Sequence, residues 1–311
     1  MKNKDLLSIS DLSSLDIHLL LADAVELRTD DWSDTLAGKT LVLLFEKPSL
    51  RTRVSFELAM RQLGGTCIYL SPDEVGLGKR ESVRDVTGVL SRYADVIAVR
   101  TFAQETLLEL ARYADIPIIN ALSDFEHPCQ ALADLITIFD HKEVLKGVRL
   151  AYVGDGNNVA RSLLLAGAMV GMDLRVATPA AYSLDEKTIE LAKDYAQESG
   201  ASIMTTTDPH LAVAEADVIY TDTWVSMGQE DDHHKRIQDF AGFQITPGLM
   251  AEAAPGVIFM HCLPAHRGEE VAPEVIDSPA SVIFDQAENR IYAEKAVLAQ
   301  MLGGAEVASH R

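Results

Sequence analysis

Residues 41–53 read LVLLFEKPSLRTR, and this stretch decides the fold class. Its first five residues are continuously apolar, which is typical of a β-strand covered on both faces. A polar loop follows, and the amphipathic segment Val54–Leu63 then predicts a helix that is closed by Gly64 and Gly65. Strand, loop and helix in this order form the repeating unit of a parallel α/β sheet.

The same unit recurs along the whole chain. Further strands are predicted at Cys67–Leu70, Val96–Val99, Pro117–Asn120, Leu150–Val153, Leu174–Ala177, Ser202–Thr205, Val218–Tyr220, Val257–Met260 and Val282–Phe284. Further helices are predicted at Ser82–Tyr93, Glu105–Tyr113, Ala131–Asp140, Ala160–Val170, Glu186–Glu198 and Ala287–Leu302. Ten strands are many for one open sheet, so the sequence predicts an α/β protein with two doubly wound domains and parallel sheets.

A polar stretch, DHKE at residues 140–143, is the predicted domain boundary. We expect a first domain at residues 1–140 and a second at 141–286. The last helix could pack against either domain, and we assign residues 287–311 to the first. In open α/β sheets ligands bind at the carboxyl ends of the strands, so the residues that follow each strand are the candidates for function.

The composition excludes several classes of protein. The chain has 311 residues, a net charge of −20 and three cysteines far apart in the sequence. Such a charge disfavours nucleic acid and anionic membranes as partners. An odd number of separated cysteines argues against a disulfide framework and fits a reducing cytosol, and no zinc motif is present. The apolar runs are too short to span a bilayer, and the first residues lack a targeting pattern, so we expect a cytoplasmic protein.

The loop after the first strand is a candidate phosphate site. A helix N-terminus offers free N–H groups and a partial positive charge, both of which suit an anion. Ser49 and Thr52 add hydroxyl groups, Arg51 can hold phosphate through two N–H groups, and Lys47 adds a charge. Ser49 could instead be only a helix cap and the arginines surface residues, but this density of cations and hydroxyls after a strand favours anion binding.

Other polar residues also follow predicted strands. Arg100 and Asp222 come directly after or near strand ends, and His127 precedes Pro128 at a predicted helix start. Taken singly, each of these residues could have only a structural role, as a surface charge or as a helix cap. Cys262 follows a strand and could suggest a thiol nucleophile, but no activating partner is evident in the sequence.

A glycine-rich turn, GDGNNV at residues 154–159, raises the alternative of a dinucleotide-binding oxidoreductase. Two features oppose that reading. The third glycine position holds Val159, and the next strand ends in Ala177-Thr178-Pro179, without an acidic residue for a ribose.

Several of these motifs together resemble the aspartate/ornithine carbamoyltransferase family. SLRTR at 49–53 is similar to the family's phosphate loop, with Leu50 where threonine is usual, and HPCQ at 127–130 to its second signature. DTWVSMG at 222–228, HCLP at 261–264 and DGNN at 155–158 are similar to the ornithine-type members. The resemblance covers nearly the whole chain and implies an active site in the cleft between the two domains.

The resemblance also implies a role for individual residues. Carbamoyl phosphate would be bound by Ser49, Leu50, Arg51, Thr52, Arg100, His127, Pro128, Cys129, Gln130, Cys262, Leu263 and Arg290. Ornithine would be bound by Asn158, Asp222, Ser226 and Met227. Arg100, His127 and Cys262 would be the catalytic residues. The segment GKRES at 78–82 is similar to a loop that reaches a neighbouring subunit in the family, but Gly76 replaces a usual glutamine, so this contact is not carried over.

The implied reaction is transfer of the carbamoyl group of carbamoyl phosphate to the δ-amine of L-ornithine, which gives citrulline and phosphate. It needs no cofactor and no metal. The alternative acceptors are putrescine, acetylornithine and aspartate. The family further implies a homotrimer, sometimes assembled further, with sites near subunit interfaces.

Overall fold

The computed structural model describes residues 1–29, 32–77, 80–225, 228 and 230–303. Its strands are β1 (Thr40–Phe45), β2 (Thr66–Leu70), β3 (Val96–Arg100), β4 (Ile118–Leu122), β5 (Arg149–Val153), β6 (Asp173–Ala177), β7 (Ser202–Thr206), β8 (Val218–Thr221) and β9 (Ile258–His261). Its helices are α1 (Ser14–Thr29), α2 (Leu50–Gln62), α3 (Pro72–Val75), α4 (Val83–Tyr93), α5 (Gln104–Tyr113), α6 (Pro128–Lys142), α7 (Asn158–Met169), α8 (Glu186–Ser199), α9 (Pro209–Val213), α10 (His233–Asp239), α11 (Pro247–Met250), α12 (Pro273–Ile276) and α13 (Ile283–Leu302).

The chain divides into two compact units. The first comprises Met1–Ile136 and the chain from Glu288 onward, and the second comprises Thr137–Ala287. Each unit has its own parallel sheet flanked by helices, so the predicted fold class is confirmed. None of the helices in the described ranges is both long enough and apolar enough to cross a membrane.

The first unit is built on a four-stranded sheet in the order β2-β1-β3-β4. After β1 the chain moves outward to β2 and then returns to the other side of β1 to form β3. The strand order therefore reverses between β1 and β3, and Phe45 and Arg100 are paired at the carboxyl ends of these two strands. Such a reversal leaves a crevice at the strand ends, where open α/β sheets bind their ligands.

The second unit repeats this plan with five strands in the order β7-β6-β5-β8-β9. Here the order reverses between β5 and β8, whose residues Tyr152 and Tyr220 are paired near their carboxyl ends. The apolar side chains of this unit's core include Val153, Ile219 and Phe259, all fully buried. Since both faces of β5, β8 and β9 are covered, their apolar runs are continuous rather than alternating.

Helix α2 begins earlier than the sequence predicts. The structure starts it at Leu50 rather than Val54, because the Ser49 side chain accepts a hydrogen bond from the Thr52 backbone N–H and caps the helix. As a result, Arg51 and Thr52 lie in the first helical turn, where backbone N–H groups point away from the helix.

The predicted strand at Val282–Phe284 is wrong. The run does approach the edge of the second sheet, since the Val282 N–H donates to the Phe259 carbonyl at 3.0 Å. Ser281 forms one isolated bridge to the same residue of β9, and α13 then begins at Ile283. A short apolar run cannot be assigned to strand or helix by its pattern alone, which is why the sequence failed here.

Candidate active site

In the first unit, cations collect at the crevice between β1 and β3. Arg100 is the last residue of β3, and its carbonyl accepts a hydrogen bond from the Glu46 N–H at 2.7 Å. Lys47 is buried, with its Nζ 4.5 Å from the centre of the Phe102 ring. Burial, together with the positive charge of the neighbouring Arg100, lowers the pKa of Lys47 to about 8. An ammonium held in this way is stabilised when an anion arrives beside it.

The phosphate loop presents hydroxyl and backbone groups at the start of α2. Ser49 Oγ donates to Thr52 Oγ1 at 3.0 Å, so both hydroxyls lie together at the helix N-terminus. The side chain of Leu50 is exposed, which leaves its backbone as the part of this residue suited to anion binding. Arg53 points elsewhere, since it pairs with Glu57 at 2.8 Å and stacks over Tyr69.

His127 lies buried among these cations, directly before Pro128, the first residue of α6. Burial holds the pKa of the His127 imidazole well below its usual value, and the positive charges of Arg290, Arg100, Arg51 and Lys47 lower it further. The ring is therefore neutral at pH 7. A neutral imidazole can donate one hydrogen bond to a developing negative charge without bringing another cation into the site.

Arg290 joins this cluster from α13. Its Nη2 donates to Thr52 Oγ1 at 3.2 Å, and its Nη1 donates to Gln130 Oε1 at 3.4 Å. The Gln130 amide nitrogen donates in turn to Asp134 Oδ1 at 2.8 Å. All four side chains are buried. The predicted residues Thr52, Gln130 and Arg290 are thus brought together by direct hydrogen bonds.

Cys129 belongs to the same signature but faces the protein interior. Its thiol is fully buried and donates to the Asn120 carbonyl at 3.7 Å. Burial raises the pKa of the Cys129 thiol, so it stays neutral. Its side chain is suited to packing, and a role in ligand binding would fall to its backbone.

In the second unit, Asp222 follows β8 at the second crevice and is buried. Cys262, which follows β9, donates from Sγ to Asp222 Oδ1 at 3.1 Å. Asn157 Nδ2 donates to Asp222 Oδ2 at 2.7 Å. The sequence had suggested no activating partner for the thiol, and the structure corrects this, since Cys262 lies in hydrogen-bond contact with a carboxylate.

Asn157, which precedes the predicted ornithine ligand Asn158, makes this side-chain contact with Asp222. Asn157 also caps α7 with its side-chain oxygen. Asn158 is half-buried in the first turn of the same helix. The other two predicted ornithine residues, Ser226 and Met227, lie outside the described residues. Of the segment at 78–82, Gly78 and Lys79 also lie outside them, while Ser82 caps α4.

Leu263 has a backbone conformation that is unusual for its residue type. Its φ is +62°, and the bond to Pro264 is cis. The Leu263 N–H donates to His261 Nδ1 at 2.9 Å, so the ring proton lies on Nε2, which is 3.1 Å from Glu270 Oε1. Both His261 and Glu270 are fully buried. This pair holds the turn that follows β9 in a fixed shape.

The turn after β5 is explained without a nucleotide. A Cβ on Gly156 would lie 2.6 Å from the Tyr182 carbonyl and from the Leu184 nitrogen, so this glycine is required by the close approach of another backbone segment. Beside it, Asp155 Oδ2 accepts from Arg236 Nη1 at 2.8 Å, and the same nitrogen donates to the Trp224 carbonyl. Burial raises the pKa of Asp155 to about 6, against the lowering effect of Arg236.

Two groups of side chains in the described residues have ligand atoms close enough to hold a metal ion. They are Asp222, His261 and Cys262, and His266, Glu269 and Glu270, with each set of atoms within 4.8 Å of one another. His261 and Glu270 already bind each other, and Asp222 already binds Cys262 and Asn157. The donors therefore satisfy one another within the protein.

Sequence reasoning missed Asn157, Asp134, Arg236, Glu270 and Glu294 as parts of these clusters. Asn157 could have been found, because it is a helix-cap residue after a strand. Arg236 pairs with Asp155, which is far away in the sequence. Asp134, Glu270 and Glu294 contact residues that are near them in the chain, but their burial depends on the packed structure, and nothing in a local pattern marks it.

The comparison with known proteins covers both units. The carbamoyl-phosphate-binding domain of aspartate/ornithine carbamoyltransferase matches residues 4–140, and the Asp/Orn-binding domain matches residues 146–301. An ornithine carbamoyltransferase of Anoxybacillus flavithermus is 51% identical over 306 residues, which cover 97% of this chain and 98% of the relative. An anabolic ornithine carbamoyltransferase of Pyrococcus furiosus is 50% identical over 310 residues, which cover 98% of each chain.

The similar solved structures are of the same kind of protein as the sequence relatives. The ornithine carbamoyltransferase structure from Pyrococcus furiosus superposes with a TM-score of 0.95 at 50% identity, over 97% of this chain and 98% of that one. The ornithine carbamoyltransferase structure from Gloeobacter violaceus superposes with a TM-score of 0.89 at 48% identity, over 97% and 99% of the two chains.

Two parallel α/β units, one with a cation-rich crevice and one with a buried carboxylate at its crevice, suit an enzyme that binds an anionic substrate and an ammonium-bearing substrate. The family matches make this specific. The chain belongs to the aspartate/ornithine carbamoyltransferase family.

Proposed function

We propose that this protein transfers the carbamoyl group of carbamoyl phosphate to the δ-amine of L-ornithine and releases L-citrulline and phosphate. The main observation in favour of this acceptor is Asp222, because its buried carboxylate suits the free α-ammonium of an amino acid. The names of the relatives described above support the same acceptor.

The phosphate end of carbamoyl phosphate binds at the start of α2. Ser49, Thr52, Arg51 and the Leu50 backbone N–H hold its oxygens, and Arg290 approaches from α13 beside Thr52. Hydrogen bonds from charged donors to phosphate are stronger than neutral ones. By neutralising the phosphate, these groups make it a better leaving group.

The carbamoyl end is oriented by Arg100, neutral His127 and Gln130. Pro128 and Cys129 contribute through their position in the first turn of α6. His127 and Arg100 donate to the carbamoyl oxygen, where negative charge develops in the tetrahedral intermediate. Preorganised donors of this kind commonly supply the largest share of the rate enhancement.

Ornithine binds with its α-ammonium on Asp222 and its carboxylate towards Asn158, with Ser226 and Met227 in the same loop. Its neutral δ-amine lies near Cys262 and attacks the carbonyl carbon. A C–N bond forms, the C–O bond to phosphate breaks, and the proton lost by the amine is taken up by the departing phosphate. The Leu263 carbonyl orients the carbamoyl amide. Positioning of the two reactants supplies much of the remaining acceleration.

Three further features belong to the proposal. Residues 1–140 with the last helix form the carbamoyl-phosphate domain, and residues 141–286 form the ornithine domain. The enzyme assembles as a homotrimer and acts in the cytoplasm. The family match to residues 4–140 and the grouping of the chain from Glu288 onward with the first unit support the first of these.

One assay tests the function directly. Product formation from carbamoyl phosphate is measured with ornithine, aspartate, putrescine and acetylornithine in turn. We expect kcat/KM for ornithine to exceed each of the others by at least about 10³-fold. Acetylornithine lacks the α-ammonium charge for Asp222, aspartate brings a second carboxylate towards Asp222, and putrescine lacks the carboxylate for Asn158. Comparable values for ornithine and acetylornithine would contradict the assignment of Asp222 to the α-ammonium, and comparable values for ornithine and putrescine would contradict the assignment of Asn158 to the carboxylate.

A further inference from the structure

Glu294 is a buried acid next to Arg290, which we assign to the binding of carbamoyl phosphate. It lies on α13 one turn after Arg290 and is fully buried. Its Oε1 accepts a hydrogen bond from Arg290 Nη2 at 3.0 Å, and this same nitrogen donates to Thr52 Oγ1. One face of the guanidinium is therefore held by a carboxylate and by the hydroxyl of the phosphate loop.

The second oxygen of Glu294 is not matched in the same way. Within the described part of the chain, Glu294 Oε2 is buried and has no hydrogen-bond partner. A buried carboxylate whose hydrogen bonds are only partly satisfied is costly in its charged form. Burial accordingly raises the pKa of Glu294 to about 7, although Arg290 and the Ser55 hydroxyl act to lower it.

We propose that Glu294 is a positioning residue for Arg290 and that binding of carbamoyl phosphate is coupled to protonation of the Glu294 carboxyl group. This inference rests on the proposed function, since it assigns Arg290 to carbamoyl phosphate. When the carboxyl group is charged, it holds Arg290 and partly cancels its charge. When it is protonated, Arg290 keeps its hydrogen bond to Oε1, and its full charge is available to the substrate.

The groups that surround Glu294 support a change in the protonation of this residue when carbamoyl phosphate binds. Arg290 faces it from its own helix, Ser55 from α2, Cys67 from β2 and Cys129 from α6. Burial raises the pKa of both thiols, so they remain neutral near pH 7. Glu57 also acts on Cys67 but is half exposed and pairs with Arg53.

The direction of the coupling follows from charge. A dianion placed next to Arg290 lies near the Glu294 carboxylate and raises its pKa further, so the bound complex takes up a proton. Because the coupling is reciprocal, protonated Glu294 binds carbamoyl phosphate more tightly. Affinity therefore falls as the pH rises through 7.

The first test compares KM for carbamoyl phosphate in the wild type and in Glu294→Gln between pH 6 and 8. Glutamine keeps an oxygen for Arg290 but carries no charge. For a ligand-induced rise of one unit in the pKa, the ratio of the wild-type KM to the variant KM should grow about fivefold over this range. Titration of Lys47 affects both enzymes alike and cancels in the ratio. A ratio that stays constant with pH would overturn the coupling.

Two further variants separate position from charge. Glu288→Gln removes a carboxylate from the exposed face of the same helix. The ratio of the wild-type KM for carbamoyl phosphate to the KM of this variant should stay constant between pH 6 and 8. Glu294→Ala removes the acceptor of Arg290 and should raise KM for carbamoyl phosphate at every pH, while KM for ornithine stays within about twofold. If KM for carbamoyl phosphate is unchanged in Glu294→Ala, or if both KM values rise equally, Glu294 does not position Arg290.

Calorimetry on the wild type makes the test independent of turnover and of how the variants fold. Carbamoyl phosphate is titrated without ornithine at pH 7 in two buffers with different ionisation enthalpies. Lys47 is already mostly protonated at this pH, so proton uptake would come from Glu294. For the same rise of one unit in the Glu294 pKa, we expect uptake of about 0.4 proton. Binding without proton uptake would refute the coupling. Binding with uptake but no citrulline formation would refute the proposed acceptor and leave the coupling standing.

Discussion

The Cys262 thiol donates a hydrogen bond to Asp222 Oδ1 across 3.1 Å. Two residues from the ends of neighbouring strands, β8 and β9, therefore present one polar surface that combines a carboxylate with a sulfur. The carboxylate is suited to an ammonium group and the sulfur to an approaching neutral amine. This pair gives the second unit its selectivity in our proposal, and two predictions concern it.

Replacing Asp222 by asparagine removes the charge and keeps the shape. We expect KM for ornithine to rise by about 10²-fold, since a hydrogen bond to a charged group in a buried site contributes about 2–3 kcal/mol. KM for carbamoyl phosphate should stay within about twofold. Steady-state kinetics with each substrate varied in turn measures both values. Unaltered ornithine kinetics would place the amino-acid site elsewhere.

Replacing Cys262 by serine tests whether the thiol is a nucleophile. We expect measurable citrulline formation with weaker ornithine binding, because a hydroxyl can still donate to Asp222. Mass spectrometry of the wild type during turnover should find no carbamoyl group on Cys262. Detection of a carbamoylated thiol that forms and decays at the turnover rate would contradict this prediction.

Arg51 and Arg53 form a matched pair within one motif. Arg51→Ala should lower the rate by on the order of 10²-fold or more, because a cation is removed from the developing phosphate charge. Arg53 binds Glu57 and stacks on Tyr69, so Arg53→Ala should remain within a few-fold of the wild type. The two rates are compared at saturating carbamoyl phosphate. Equal losses in both variants would show that the effect of Arg51→Ala is not specific to phosphate binding.

Lys47 predicts how anion binding changes in alkaline solution. Its pKa is lowered to about 8, so the ammonium is present below that pH and is lost as the pH rises through it. KM for carbamoyl phosphate should therefore rise above pH 8. Lys47→Arg should delay this rise, because arginine stays charged throughout the measured range. The profile is recorded between pH 7 and 9.5, and an identical profile for both enzymes would assign the titration to another group.

The fold was largely predictable because strand and helix periods are local properties. Short runs rich in apolar residues located nine of the strands, and the polar segments after them supplied the candidate site residues. The boundaries were less accurate. Helix α2 starts at Leu50, four residues before the amphipathic pattern begins, because its start is set by the single capping side chain of Ser49. A single capping residue leaves no periodic pattern in the sequence. Val282 bonds to the sheet edge and still leads into a helix, which no pattern within the run itself reveals.

The supporting residues of the site could not be predicted for a different reason. Glu294 contacts Arg290 within one helix, but its importance depends on Thr52, which is far away in the sequence. Asp134 likewise acquires its role only through Gln130. Both are acids on helices, where a solvent-exposed position is the usual one. Their burial is a property of the packed structure and has no local signature.

Gln130 has one further consequence, which concerns how its amide would appear in a diffraction experiment. The nitrogen and oxygen of an amide are nearly indistinguishable in ordinary electron density, and their assignment rests on the hydrogen-bond partners. Here the carboxylate of Asp134 can only accept when it is ionised, and the guanidinium of Arg290 can only donate. The amide is thereby locked in one orientation, and a ligand that reaches Gln130 meets an oxygen already engaged with Arg290 and a single remaining N–H.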